Sequence, residues 1–142
     1  MLRWVCKILV KCNTKIHLVA ASDRIAMKFS LSGGEKHDAP EGRKLIEKMK
    51  TNEPCSLLMD RAYEDDKTRA LAIEQGFTPV VPPKKNRLEP WDYDKELYKR
   101  RNEVERLFRR IKGFRRVFTR YEKLDVMYLA FITFALICDA LK

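Results

Sequence analysis

A chain of 142 residues is one domain by length and can bury a single core. Its 45% hydrophobic and 35% charged residues exclude a disordered chain, and a net charge of +10 points to a polyanionic partner. Four cysteines without C-x-x-C spacing, and only two histidines, argue against structural zinc and a disulfide framework and suit a reducing compartment.

Residues 1–13 (MLRWVCKILVKCN) form an atypical N-terminal segment with a strand expected around residues 7–10 and no acidic residue at all. The segment alternates cations with apolar residues and lacks the continuous apolar stretch of a signal peptide. TKIHLVA (residues 14–20) alternates like a half-buried strand with Ile16, Leu18 and Ala20 on one face, and His17 reads as a satisfied sheet residue. Ser22, Asp23 and Arg24 make a turn, and residues 26–31 return as the hairpin partner. A glycine-rich loop (32–41) leads to a helix opened by Pro40 and running to about Lys50 on Leu45, Ile46 and Met49. CSLLM (55–59) is a short strand buried on both faces and ends at Asp60.

Asp65 or Asp66 caps the next helix, which stops at Gly76. Residues 77–81 follow as a strand that Pro79 confines to an edge. The loop 82–92 holds Lys84, Lys85 and Arg87 beside Trp91, read as solvated with Trp91 packed on the domain. A central helix covers residues 98–112, and a final helix covers about 124–141. Its apolar run 126–138 falls short of the roughly 20 residues needed to span a bilayer and reads as a buried core helix, with Tyr128, Phe131 and Phe134 in the core. The order of elements is α/β.

The excess charge sits on the central helix and just after it. Residues 98–120 carry ten Lys/Arg and two Glu, so nucleic acid is the expected partner and its binding should be salt-sensitive. At about 100° per residue, Tyr98, Arg101, Glu105 and Lys112 share one stripe at roughly 0°, 300°, 340° and 320°. Leu97, Val104, Leu107, Phe108 and Ile111 face the core, and Lys99, Arg106, Arg109 and Arg110 form a basic face. One carboxylate flanked by cations in this way suits phosphate handling. Arg115, Arg116 and Arg120 read as further phosphate contacts rather than base readers.

The spacing Tyr98-x2-Arg101-x3-Glu105-x6-Lys112 matches the Y-x2-R-x3-E-x6-K signature of bacterial insertion-sequence DDE transposases. MDRAY around Asp60 resembles that family's D-x-x-Y. TKIHLVA, FSLSGGEKHDAPEG and the basic helix follow in the family's order, with Gly34, His37 and Asp38 matching its G-x-x-H-D turn. His37 and Asp38 are read as structural. The resemblance covers nearly everything from Thr14 onward. It implies a ribonuclease H-like core, a mixed sheet flanked by helices, here incomplete at the N-terminal strand. Residues 14–142 would then be a partial DDE catalytic domain.

The resemblance also implies a chemistry. Two hard cations cleaving a phosphodiester need oxygen ligands converging from separate elements. Asp60 and Glu105 would be catalytic metal ligands for Mg2+ or Mn2+. Tyr98, Arg101, Lys112, Arg109, Arg115 and Arg116 would contact double-stranded DNA at element ends and target. The family's first catalytic Asp lies upstream of the TKIH block, whereas the first acidic residue here is Asp23. The expectation is therefore a cytoplasmic, nucleoid-associated transposase chain, a remnant or a downstream frame, with little activity alone. It would self-associate or join a full-length transposase. The alternative is a non-catalytic DNA-binding fragment that modulates one.

Overall fold

The computed structural model describes residues 2–11 and 13–142, with side chains from Asn13 onward. Five strands form one sheet in the order β3-β2-β1-β4-β5: β1 (Leu2–Lys11), β2 (Thr14–Ala20), β3 (Ala26–Gly33), β4 (Cys55–Met59) and β5 (Phe77–Val80). The first three pair antiparallel, and β4 and β5 run parallel to β1 and to each other.

The tight β1–β2 turn has Asn13 at φ 59°, a left-handed conformation that asparagine tolerates better than most residues. Where a strand was expected only around residues 7–10, ten residues supply the central strand. The sheet therefore has its N-terminal strand, and what β1 lacks is a carboxylate. β5 is an edge strand, as its Pro79 requires.

Both faces of the sheet are covered. On one side lie α1 (Asp38–Glu47) and α2 (Asp66–Glu74), packed on Val19, Leu57 and Met59 through Leu45, Ile46 and Ala72. On the other, Ile16, Leu18, Ala20 and Leu58 meet α4 (Asn102–Ile111) and α6 (Asp125–Ala140). The period-2 alternation of β2 thus sends alternate residues into two cores. Asp65 caps α2 by accepting from the Thr68 N–H, and Gly76 ends it at φ +89°.

Three of the expected helices also differ from the sequence reading. The helix at residues 38–47 begins two residues before Pro40, which leaves the proline inside its first turn, where its missing N–H costs nothing. The helix expected over residues 98–112 is two: α3 (Lys95–Lys99), capped by the Asp94 carboxylate on the Leu97 N–H, and α4. Between them the backbone tightens to i→i+3 bonds, Arg101 N–H to Tyr98 C=O at 2.9 Å and Glu103 N–H to Arg100 C=O at 2.9 Å. Such a turn eclipses residues three apart, so Tyr98 stays over Arg101 despite the break.

The last difference concerns α6, which is buried on one face only. Tyr128, Ile132, Ala135 and Leu136 are inside, but Phe134 is 60% exposed, together with Val126, Met127 and Ile137. Phe134 lies two residues from Ile132, about 200° around the helix, with no element among the described residues to cover it. Phe131 is half-buried. Among the described residues no helix is long and apolar enough to cross a membrane.

Candidate active site

β4 ends at Met59, and Asp60 turns the chain into a short 3-10 turn, Arg61–Tyr63. One Asp60 carboxylate oxygen accepts the Arg61 N–H at 2.7 Å, which fixes the side chain at the C-terminal edge of the sheet. Such strand ends are where α/β sheets present ligand-binding groups. Side-chain alternation from Leu58, which faces the α4 core, turns Asp60 to the same side.

The first turns of α4 meet it there. Arg101 reaches the second Asp60 oxygen through Nη1 at 3.5 Å and Glu105 Oε1 through Nη2 at 3.0 Å. The two carboxylates, 45 residues apart in sequence, thus bracket one guanidinium. They stand at most about 9 Å apart, the two contacts plus the width of that group. Both are about one-third exposed, so ligand can reach them.

Tyr98 closes the site on one side. Its ring lies 5.7 Å from the Arg101 guanidinium carbon and packs edge-on against Tyr93 at 5.7 Å. Burial pushes the Tyr98 phenol above its ordinary value; Arg101 opposes that shift and Asp60 adds to it. Lys112 caps the far end of α4, about 10 Å along the axis from Glu105, with Arg109 exposed between them. Arg115 and Arg116 lie beyond, on α5 (Arg115–Phe118), both exposed. The structure therefore brings Asp60, Arg101, Glu105 and Tyr98 together. It leaves Lys112, Arg109, Arg115 and Arg116 along a basic path leading away from them.

Two arginines leave the set expected to face DNA. Arg110 grips the buried Asp139 through Nε, 2.9 Å from each oxygen, and also bonds the Asp23 main-chain carbonyl. Arg120 donates to Thr14 Oγ1 at 2.7 Å and to the carbonyls of Glu122 and Lys123, pairs with Asp125, and stacks on Tyr128. Arg110 thus ties α4 to α6 and to the β2–β3 turn, and Arg120 ties the α5–α6 loop to β2, roles their helical or loop position alone does not disclose.

A second cluster occupies the opposite face. His17 is fully buried, with Nδ1 3.2 Å from the Tyr63 hydroxyl and Nε2 2.8 Å from Ser32 Oγ. One nitrogen of the neutral ring donates and the other accepts. Burial lowers the His17 pKa below 6.5, against the opposing pull of Asp38 and Glu41. Gly42 of α1 lets Tyr63 in, because a Cβ there would collide with the ring. Asp38 pairs with Lys15 at 2.8 Å, and His37 is an exposed cap residue whose side chain makes no capping bond. The structural reading of His17 and Asp38 therefore holds.

Trp91 packs as expected. Its N–H donates to the Val81 carbonyl at 2.8 Å, and its ring lies between Arg69 and Arg87 at 3.5 and 4.4 Å. Sequence reasoning missed Glu64, which is buried and pairs with Lys84 and Arg87, so that loop is anchored rather than merely solvated. Its one signal was position, immediately after the DRAY motif. Cys55 and Cys138 are free thiols.

The donor set does not fit a two-metal centre as it stands. Among the described residues no three His, Cys, Asp or Glu side chains could hold a metal ion. Asp60 and Glu105 spend an oxygen each on Arg101. The strand beside β4 could supply a third carboxylate, but no residue of β1 is acidic. Its pairing of Cys6 with Met59 brings the Lys7 position level with Asp60.

Residues 9–138 match the model of the transposase DDE domain. The chain belongs to that family. This DDE domain is 27% identical over 124 residues to a protein of Brucella ovis assigned as a transposase for insertion sequence element IS6501, covering 87% of the present chain and 94% of that one. Its fold is that of the catalytic core domain of BIV integrase, with a TM-score of 0.61 over 95% of this chain and 80% of the integrase chain, at 14% identity. The ribonuclease H-like expectation is thereby met.

Proposed function

We propose that this DDE domain binds double-stranded DNA, element ends and target alike, and carries two of the three carboxylates that its family's Mg2+- or Mn2+-dependent strand cleavage and strand transfer require. The observation that carries the reading is the convergence of Asp60 and Glu105 on one guanidinium at the head of a basic helix. Arg101 and Tyr98 position the acidic pair. Arg109, Lys112, Arg115 and Arg116 hold phosphates. A divalent ion would supply activation of the attacking oxygen and stabilisation of the leaving one. With two carboxylates already engaged by Arg101, the chain alone is inactive, and it gains the chemistry when a third carboxylate is provided by other sequence or another chain. Because β1 offers none, the non-catalytic reading stands beside the first: the chain occupies DNA ends and modulates an intact transposase through association.

The test is duplex binding against salt, together with nicking in Mg2+. Arg109, Lys112 and Arg115 have no ion pair among the described residues, and Arg116 pairs with Glu122. If all four meet phosphates, affinity should fall roughly a hundred-fold between about 50 and 200 mM salt. Salt-insensitive binding, or none, overturns the DNA reading. Mg2+-dependent nicking by the chain alone that disappears in both Asp60→Asn and Glu105→Gln overturns the claim of inactivity and keeps the two carboxylates as ligands.

A further inference from the structure

The exposed Phe134 does not stand alone on the surface. With Phe114, Val117, Phe131, Arg115 and Arg116 it lines an open recess of about 210 Å3. A neighbouring recess of about 240 Å3 is lined by Arg115, Arg116 and Tyr121. The arginine pair is common to both and forms the ridge between them. The Arg116 guanidinium carbon lies 4.6 Å from the Phe131 ring, and that of Arg115 lies 5.8 Å from the Tyr121 ring. Arg116 shares its charge with Glu122 at 2.8 Å, whereas Arg115 has no carboxylate partner among the described residues.

The order along this surface is aromatic recess, cation pair, aromatic ring. A single nucleic-acid strand presents the complementary order of base, phosphate, base, and aromatic side chains accept any base on its π-face. Paired bases inside a duplex cannot enter such a recess without being flipped out. The volume is below the usual range for a whole small-molecule site, about 300–1,000 Å3, and suits one planar ring. A second copy of the chain is disfavoured as occupant, because an isologous contact would bring the same two cations to both sides.

We propose that Phe134 and its recess, the Arg115–Arg116 ridge and Tyr121 form a site for unpaired nucleotides. One base stacks in the Phe134 recess, its phosphate lies on the ridge, and the next base lies on Tyr121. The proposal rests on the DNA reading above and adds that the bound DNA presents a single-stranded segment.

The test compares a blunt duplex with the same duplex carrying a short 3′ overhang that contains 2-aminopurine. The wild-type chain should bind the overhang about five- to a hundred-fold more tightly and quench its fluorescence. Phe134→Ala, at an exposed position, should abolish the preference and the quenching while leaving blunt-duplex affinity unchanged, and Tyr121→Ala should remove part of each. Equal affinity for both duplexes, a preference that survives Phe134→Ala, or an equal loss on both duplexes overturns the site. So does a dimer, seen by sedimentation, that Phe134→Ala dissociates without altering the preference. Salt-sensitive blunt-duplex binding without overhang preference defeats this inference alone; no salt-sensitive binding to either duplex defeats the DNA reading with it.

Discussion

Asp60 and Tyr63 belong to one short motif but serve opposite faces of the sheet, and the two faces treat their polar groups differently. On the α1 side, Tyr63, His17 and Ser32 are buried and bonded to one another, with Gly42 making room for the ring. On the α4 side, Asp60 and Glu105 are partly exposed and share one guanidinium. A buried network must be fully satisfied to be tolerated, because each orphaned group costs its desolvation. An acidic pair about one-third exposed keeps access to water and meets no such requirement. The letters that mark the family therefore divide into a part that holds the fold and a part that the proposed reading turns toward DNA.

Substitutions should separate the two faces by their effect on stability. Gly42→Val drives a branched side chain into the Tyr63 ring and should destabilise by about 1–3 kcal/mol, the largest effect of the set, read by urea denaturation. Tyr63→Phe keeps the packing and removes the hydroxyl from His17, which should cost about 1–2 kcal/mol.

Acidification acts on the same network. The folded His17 pKa lies below the ordinary 6.5, so the unfolded chain binds more protons as pH falls through that value. Stability is therefore full above pH 6.5 and declines below it until the lowered folded pKa is passed. The thermal midpoint should drop between pH 7 and 5, and His17→Gln should flatten that drop. Asp60→Asn and Glu105→Gln, on the open face, should change stability by no more than about 0.5 kcal/mol. A loss there as large as that of Tyr63→Phe would erase the distinction.

Much of this was legible in the sequence, for identifiable reasons. β4 and its terminal Asp60 could be read from a short run, CSLLM, with four apolar residues of five ending in a carboxylate, because a strand buried on both faces is mostly apolar. The Arg101–Glu105 pair followed from helical spacing. The break between α3 and α4 did not show, because an i→i+3 turn preserves the side-chain stripe from which a continuous helix was inferred. Nor did the fates of Arg110 and Arg120, since pairing with Asp139, Asp23 and Thr14 is set by tertiary contacts between distant segments. Phe134 was misplaced because an apolar run records what could be buried, not how many neighbours the fold provides.

The convergence of Asp60 and Glu105 is tested most directly by removing the guanidinium between them and titrating with Mn2+, followed by electron paramagnetic resonance. Arg101→Ala removes the cation that both carboxylates share, so it should bind Mn2+ measurably more tightly than the wild-type chain, and adding either Asp60→Asn or Glu105→Gln should abolish the gain. Mn2+ binding by Arg101→Ala that either second substitution leaves untouched would contradict a shared site.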